Sequence, residues 1–395
     1  MASNSKNIAE LLNGDTTLTA TDIANDAVTA DKIATGAVVA DGLGAGSVTA
    51  TALGASAVTT AKINAGAVTT AKITGNLGRR NLIINGDFQV NQRGNGSGVS
   101  DAGYIGVDRW RGYISANSTI YLTQTAFAHG QSDVDKDLRH YLKFDWLGTG
   151  SATTKILSQR IENVQKGNGQ KVTVSFWGRT EQADDCTIQL HQHFGTSGSG
   201  GVDHVSGTID LTTSWQYFTH TFDLTSTSGK TVGANNSLRL EFVFGPATLN
   251  SYFEVTGVQV EVGDTATAYE HRSYSEELAA CQRYCQRISQ SGGDYYVMTS
   301  KGQSSNAVRF AQQLAFPLRV SPTISQGGGI STWRVFRPTA GVVTSSNTPT
   351  VIGFVENAGF VILQLDGLSG ITDNYLYGTS PSFGSAGYFN MDSEL

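Results

Sequence analysis

The sequence predicts a mainly β protein. A repetitive fibrous trimeric shaft at the N-terminus is followed by two antiparallel, jelly-roll-like β-sandwich domains joined by a short helix. Three observations predict it. A ten-residue repeat fills residues 16–75. Alternating apolar and polar residues, separated by Gly, Asn and Ser clusters, recur through most of the remainder. The composition favours strands and turns over helices, with 46 Gly, 6 Pro and abundant Thr, Ser and Val.

The shaft, residues 16–77, rests on the repeat. Copies begin at Asp26, Gly36, Gly46, Ser56 and Gly66, and a degenerate copy at 16–25 keeps Leu18 and Ile23 in register. Val28, Ile33, Val38, Leu43, Val48, Leu53, Val58, Ile63, Val68 and Ile73 therefore recur every five residues. A period of five is neither the 3.6 of a helix nor the 2 of a simple strand. Repeated glycines and β-branched residues argue against a long helix. Only Ala, Thr, Gly and a few charges lie between the large apolar residues, so a single chain cannot bury the stripe. Three chains wound about one axis can, each giving one apolar residue per level. Extended, such a shaft reaches ~200 Å at most. The alternative reading is a low-complexity linker. Residues 1–15 precede the repeat; Ile8, Leu11 and Leu12 form a short apolar face there, as in a docking peg.

Several phrases resemble the tail-fibre proteins of tailed bacteriophages. They are Asn7 to Asp15 ahead of the AVTTAKI-type repeats, Asn81 to Phe88 with Gln92-Arg93-Gly94 and Asp108-Arg109-Trp110, and Val258 to Gly263 followed by Tyr269 to Tyr274 and Glu277 to Tyr284. The resemblance spans about residues 1–290 discontinuously. It implies a virion appendage, usually a homotrimer, that recognises a host cell, and it carries over no catalytic residue.

The first sandwich is expected over residues 78–272. In KVTVSFW, beginning at Lys171, Val172, Val174 and Phe176 share one face and Trp177 falls on the other. Ile188, Leu190 and Phe194 share a face that Gln192 interrupts, which leaves His191 and His193 together on the opposite one. The segments 175–177, 214–218 and 253–261 are similar to the jelly-roll carbohydrate-binding modules attached to many glycosidases. That similarity implies a sugar-binding fold rather than a site.

Sugars present an apolar C–H face on which an exposed aromatic ring can stack. Trp177, His191 and His193 are accordingly the candidate glycan contacts in this domain. For Trp110, Trp146 and Trp215, packing as core or plug residues is the better reading. His191, His193 and His204 could instead hold a metal, although a solvated polar face explains an i, i+2 histidine pair as well. Asp133, Asp135 and Asp137 resemble the start of a calcium loop. Leu138 and Phe144 occupy the positions where that loop requires Gly and Glu, so a solvated acidic loop is the better reading. No metal and no cofactor is expected.

A neck helix is expected over residues 273–289. Ser273 and Glu276 form a capping-box pattern. Glu276 and Glu277 fall in the first turn and Arg283 and Arg287 in the last, matching the helix dipole. Leu278, Cys281, Cys285 and Ile288, spaced 3, 4 and 3, form an a/d seam suited to a trimer neck or to packing on a sandwich. A Cys281–Cys285 metal pair is the alternative, but it lacks further ligands nearby. Residues 290–395 return to β patterning as a distal tip, with Val351 to Val355 and Phe360 to Leu365 reading as buried strands. Its aromatic, Gly-rich tail offers Tyr375, Tyr377, Phe383, Tyr388 and Phe389, of which Tyr375 and Tyr377 are the candidate ligand contacts.

The chain carries 27 Lys+Arg against 33 Asp+Glu and lacks a long basic run, so no nucleic-acid partner is expected. No apolar run approaches the ~20 residues that span a bilayer, and no membrane insertion is expected. The N-terminus has no apolar core behind Lys6, so a signal peptide is not expected either. Three cysteines, Cys186, Cys281 and Cys285, make no disulfide framework and fit folding in a reducing host cytoplasm before assembly into the virion tail.

Enzyme signatures are missing. Gly229-Lys230-Thr231 ends like a Walker A loop, but Leu224 stands where the first glycine belongs. Glycan cleavage needs two carboxylates across a cleft; Asp184, Asp185, Glu254 and Glu261 are available, but the sequence does not place them. The sequence is therefore read as a non-enzymatic fibre. It would dock through residues 1–15 to tail adaptor or nozzle proteins and bind host polysaccharide or lipopolysaccharide. A glycan-degrading spike and a capsid decoration fibre remain the alternatives.

Overall fold

The computed structural model describes residues 80–394 except 97, 99–101, 116–117, 148–153, 182–183, 246–250, 290–297, 328–331, 338–340, 355–358, 372–375 and 383–387. It also describes scattered repeat positions between 27 and 63. The peg expected at 1–15, most of the repeat, Tyr375, Phe383 and the side chain of Tyr377 lie outside the described residues. The chain divides into two units, 1–77 and 78–395.

In the first unit, Ala30–Lys32 form a 3₁₀ turn. Lys32 Nζ donates to the Ala27 carbonyl at 2.7 Å. The described apolar residues of the repeat, Val28, Ile33, Val48, Leu53, Val58 and Ile63, are 43–55% exposed in the single chain.

The second unit is mainly β. The strands of its first sandwich are β1 (Ala102–Gly103), β2 (Arg111–Ile114), β3 (Thr119–Ala126), β4 (His140–Leu147), β5 (Lys155–Glu162), β6 (Lys171–Thr180), β7 (Asp184–His193), β8 (Val202–Leu211), β9 (Gln216–Asp223), β10 (Ser237–Phe244) and β11 (Ser251–Val262). They form a six-stranded sheet, β1-β2-β5-β10-β7-β8, and a five-stranded sheet, β3-β4-β11-β6-β9. Neighbouring strands are antiparallel. This is a sandwich of jelly-roll type, and its core follows from strand alternation. Val174, Phe176, Phe253 and Val255 from one sheet face Leu190, Leu240 and Phe242 from the other, all fully buried. The Phe176 and Phe242 rings meet edge to face at 4.9 Å. Trp110 and Trp146 belong to the same core.

The segment before β1 is stitched into the sandwich by its asparagines. Asn81 Nδ2 donates to the Val258 carbonyl and Asn81 Oδ1 accepts from Val260 N. Asn85 adopts φ 60°. Its Nδ2 donates to the carbonyls of Val90 and Asp108. Gly86 accepts from Val258 N at 2.9 Å. A Cβ there would lie 2.2 Å from the Val258 carbonyl oxygen, so only glycine permits the approach.

The helix, α1, runs Tyr274–Gln282 with the Ser273–Glu276 capping box formed in both directions. It is shorter than expected. The chain turns at Arg283 and enters β12 (Cys285–Ser289), which pairs with β21 (Tyr388–Asp392). Leu278, Cys281, Cys285 and Ile288 therefore do not form one helical seam. Leu278 and Cys281 lie on the helix, whereas Cys285 and Ile288 lie on a strand. Cys281 and Cys285 are fully buried within their own chain, and Ile288 packs on the distal core. A helix of nine residues is marginal alone, and pairing with β21 draws residues 285–289 into a strand instead of further helical turns. Burial also holds both thiols well above the usual thiol range.

The distal strands are β13 (Met298–Ser304), β14 (Ala307–Gln313), β15 (Thr323–Gly327), β16 (Thr332–Arg337), β17 (Gly341–Ser345), β18 (Thr350–Phe354), β19 (Phe360–Leu365) and β20 (Leu376–Ser382). Together with β12 and β21 they form a three-stranded sheet, β12-β21-β15, and a seven-stranded sheet, β17-β16-β20-β13-β14-β19-β18. Trp333, Phe310, Leu363 and Phe389 sit in the core between them. Phe389 is thus a core residue, not a tip contact, and Tyr388 packs under the Arg287 guanidinium at 3.6 Å. The expected buried strand at 351–355 is an edge strand, with Ile352 exposed.

Buried ions join the two sandwiches. Arg93 pairs with Asp108 at 2.9 Å, Asp392 at 2.9 Å and Glu394 at 3.2 Å. Arg109 pairs with Glu394 and lies 3.4 Å from the centre of the Tyr284 ring. Burial pushes the Asp108 carboxyl up to about 6, with Arg93 opposing the shift. Removing one partner would strand a buried charge.

Candidate functional site

Alternation along β6 points Trp177 away from the core, on the outer face of the five-stranded sheet. Its cross-strand neighbours are Thr256 on β11 and Tyr217 on β9. The Trp177 and Tyr217 rings lie 5.4 Å apart at 49°. Both line a groove of about 330 Å³ that Asp135, Ser175, Gly257, Thr267 and Tyr269 help to close.

The groove walls are fixed. The β11 strand bulges between Thr256 and Gln259, and Gly257 occupies the bulge at φ 61°. A Cβ on Gly257 would meet Leu138 Cδ1 at 3.0 Å and Trp177 Cδ1 at 3.5 Å. Glycine therefore keeps both the bulge and the space beside the indole. The opposite wall, around Thr267, is held by Glu261. Thr267 N donates to Glu261 Oε1 and Thr267 Oγ1 to Glu261 Oε2, both at 2.8 Å. Glu270 N donates to Gln259 Oε1 at 2.9 Å. An aromatic pair on a rigid sheet, flanked by carboxylate, hydroxyl and backbone groups, can stack on an apolar ring face while hydrogen-bonding the ring's hydroxyls.

Asp135 also belongs to the one group of three His, Cys, Asp or Glu side chains, among the described residues, whose ligand atoms converge. One atom each from Asp135, Asp137 and His271 lie within 4.8 Å of one another. His271 contacts the groove residue Tyr269 edge to face at 4.9 Å.

His191 and His193 occupy the other side of the sandwich, on the outer face of the six-stranded sheet, with ring centres 6.0 Å apart. His191 Nδ1 contacts Asp203 Oδ1. His204 points elsewhere, its Nε2 bonded to Gln192 Oε1 at 3.0 Å. Gln192 is the residue that interrupts the apolar pattern, and it is fully buried with its amide donating to the Thr225 carbonyl. The three histidines therefore do not converge as a metal site. The structure does not bring Trp177 and the histidines together.

Trp215 is a packing residue, edge to face with Tyr141 at 5.5 Å and beneath the Arg179 guanidinium at 4.9 Å. Of the carboxylates considered for glycan cleavage, Glu254 is paired with Arg179 at 2.6 Å and Glu261 holds the groove wall. Tyr217 was not among the sequence candidates. Its signal was an outward position on a strand, but pairing it with Trp177 needed the β6–β9 register.

No protein-family model and no curated protein matches the sequence. Among solved structures, the chain is similar to a family 11 carbohydrate-binding module from Clostridium thermocellum in complex with a β-1,3-1,4-mixed-linked tetrasaccharide. The identity is 15% and the TM-score 0.28, over 45% of this chain and 98% of that one. It is also similar to a putative sugar-binding protein from Bacteroides thetaiotaomicron, at 14% identity and TM-score 0.30, over 46% of this chain and 100% of that one. A third similar structure is the enzymatically active domain of tailspike protein 4 of bacteriophage CBA120, at 12% identity and TM-score 0.31. That match covers 47% of this chain and 22% of the tailspike chain.

Proposed function

We propose that the protein is a glycan-binding fibre of a bacteriophage virion, non-enzymatic and trimeric, that uses the Trp177–Tyr217 groove to hold host-surface polysaccharide. One observation carries the binding reading. Two outward aromatic rings lie on a sheet face beside a groove whose polar wall is fixed by hydrogen bonds to the buried Glu261. The fibre reading rests on the repeat. Its described apolar residues stay half exposed in a single chain, and winding three chains together would bury them. The tail-fibre phrases in the sequence add the virion context, with residues 1–15 as the tail-docking segment. Three chains also make binding multivalent, so single sites of about millimolar affinity hold a particle firmly.

The test uses the full-length chain. It is passed over immobilised host-surface polysaccharides, and retention is recorded together with released reducing ends. Retention without release is the expected result. Release would overturn the non-enzymatic reading, and no retention on any polysaccharide would overturn glycan binding. Sedimentation measures the assembly. A particle of three 41.8 kDa chains is expected, falling apart when Val58 and Ile63 are both changed to Asp. A wild-type monomer would contradict the trimer.

A further inference from the structure

The outer face of the six-stranded sheet carries an arrangement that folding alone disfavours. Arg160 on β5 stands directly opposite Arg239 on β10, and Arg239 directly opposite His191 on β7. Nearby on the same sheet, Arg111 on β2 is opposite Ser158. Like charges facing each other across strands destabilise a sheet.

Several other arginines of the protein have a partner for their charge or their donors. Arg93, Arg109, Arg179, Arg272 and Arg283 each reach a carboxylate within 4.0 Å. Among the described residues, no carboxylate lies that close to Arg111, Arg160 or Arg239. The acidic neighbours are otherwise placed. Asp203 is held by Gln189 Nε2 at 2.6 Å and by His191. Glu241 faces the cluster from β10 and interacts electrostatically with Arg239 and Arg160, but it forms no ion pair within 4.0 Å with either.

Two buried nitrogens in the cluster also lack a hydrogen-bond partner among the described residues, Arg239 Nε and His193 Nδ1. A buried donor without a partner is destabilising, because it gives up its hydrogen bond to water with nothing in return. Burial, then Arg239 and Arg160, lowers the His193 pKa, so the ring registers the local positive field. Facing guanidiniums without a close carboxylate, one with an orphaned donor, are what an oxyanion completes, since the planar fork of arginine fits carboxylate and phosphate oxygens two at a time.

We propose that this face is a second binding site, in which Arg160 and Arg239, flanked by Arg111 and His191, hold an oxyanion carried by a polysaccharide, a sugar carboxylate or a sugar phosphate. That the oxyanion belongs to a polysaccharide rests on the proposed glycan-binding function; that the face binds an oxyanion does not. The site lies on the sheet opposite the Trp177 groove, so the two are separable by experiment.

Full-length protein is titrated with oligogalacturonate, with a neutral β-linked oligosaccharide of equal length, and with inorganic phosphate. Arg160→Gln, Arg239→Gln and their double variant are compared with wild type. Oligogalacturonate is expected to bind, to weaken at least tenfold in the double variant, and to weaken again as salt rises from about 50 to about 300 mM. Neutral-oligosaccharide binding should stay unchanged in these variants and fall only in Trp177→Ala, which tests the first site alone. Without ligand the double variant should melt above wild type, because two facing charges are gone. A wild-type readout stands beside the variants: oligogalacturonate should shift the ring-proton resonances of His191 and His193. Unshifted histidine resonances, or equal binding of oligogalacturonate by wild type and double variant, would overturn the site. Phosphate matching oligogalacturonate in affinity would overturn the polysaccharide assignment.

Discussion

The two outer faces of the first sandwich are built by the same strand alternation, yet they present opposite chemistry. On the five-stranded sheet, Trp177 and Tyr217 lie beside walls that Glu261 and Gln259 hold in place, and the charged pair Arg179–Glu254 is closed. On the six-stranded sheet, Arg160 and Arg239 face each other with no carboxylate within 4.0 Å among the described residues. One face is satisfied and apolar at its centre; the other is polar and unsatisfied. The contrast teaches that a sandwich core constrains only the inward half of each strand. The outward half is free to carry either a stacking surface or an open charge, at some cost in stability.

The comparison breaks most sharply at Trp177. Trp177→Ala is expected to lower affinity for a neutral glycan at least tenfold, ~1.4 kcal/mol or more. Its affinity for acidic oligosaccharide on the opposite sheet should stay within twofold, as calorimetry with both ligands would read. Equal losses on the two ligands would mean that the faces are not independent.

Glu261→Gln sharpens the claim that the aromatic face depends on its wall. The substitution keeps one oxygen for Thr267 N but sets an amide donor against Thr267 Oγ1, which must turn from donating to accepting, at ~1 kcal/mol of stability by denaturant titration. Affinity for the neutral glycan should fall severalfold, less than in Trp177→Ala. An unchanged affinity would show that the wall is not part of the site.

The smallest expected effect is on pH dependence. Burial lowers the pKa of His140, His193, His204 and His220 from the ordinary 6.5. Each folded value lies below the unfolded one, so their contribution is complete above pH 6.5 and is lost as pH falls through the folded values. Asp108 has the opposite sign. Its folded value is raised to about 6 from 3.8, so its share is present at low pH and lost as pH rises through 6. Between pH 7.5 and 6 the histidines dominate, and the melting temperature should drop by ~2–4 °C. His193→Asn should flatten part of that slope, and a melting temperature rising with acidification in this window would contradict the assignment.

Much of the architecture is legible in the residues. The alternation of Val172, Val174 and Phe176 puts Trp177 outward, and the interruption at Gln192 marks a buried amide with its own partners. The Ser273–Glu276 cap fixes the start of the helix. Its end is not legible, because the 3, 4, 3 spacing of Leu278, Cys281, Cys285 and Ile288 suits a helix, while pairing with β21 decides the matter. The site is less legible. Tyr217 and Asp135 join Trp177 in the groove only through register and loop closure. The Arg160–Arg239 opposition joins residues 79 positions apart across β5 and β10, and one residue of slip would send one side chain inward.

The most direct test of the central claim is saturation-transfer NMR on full-length protein mixed with a host-surface oligosaccharide, irradiating the aromatic protons. Transfer to the sugar ring C–H protons is expected in wild type, and its loss in Trp177→Ala/Tyr217→Ala. Transfer of undiminished strength in that double variant would contradict a glycan site at the Trp177–Tyr217 groove.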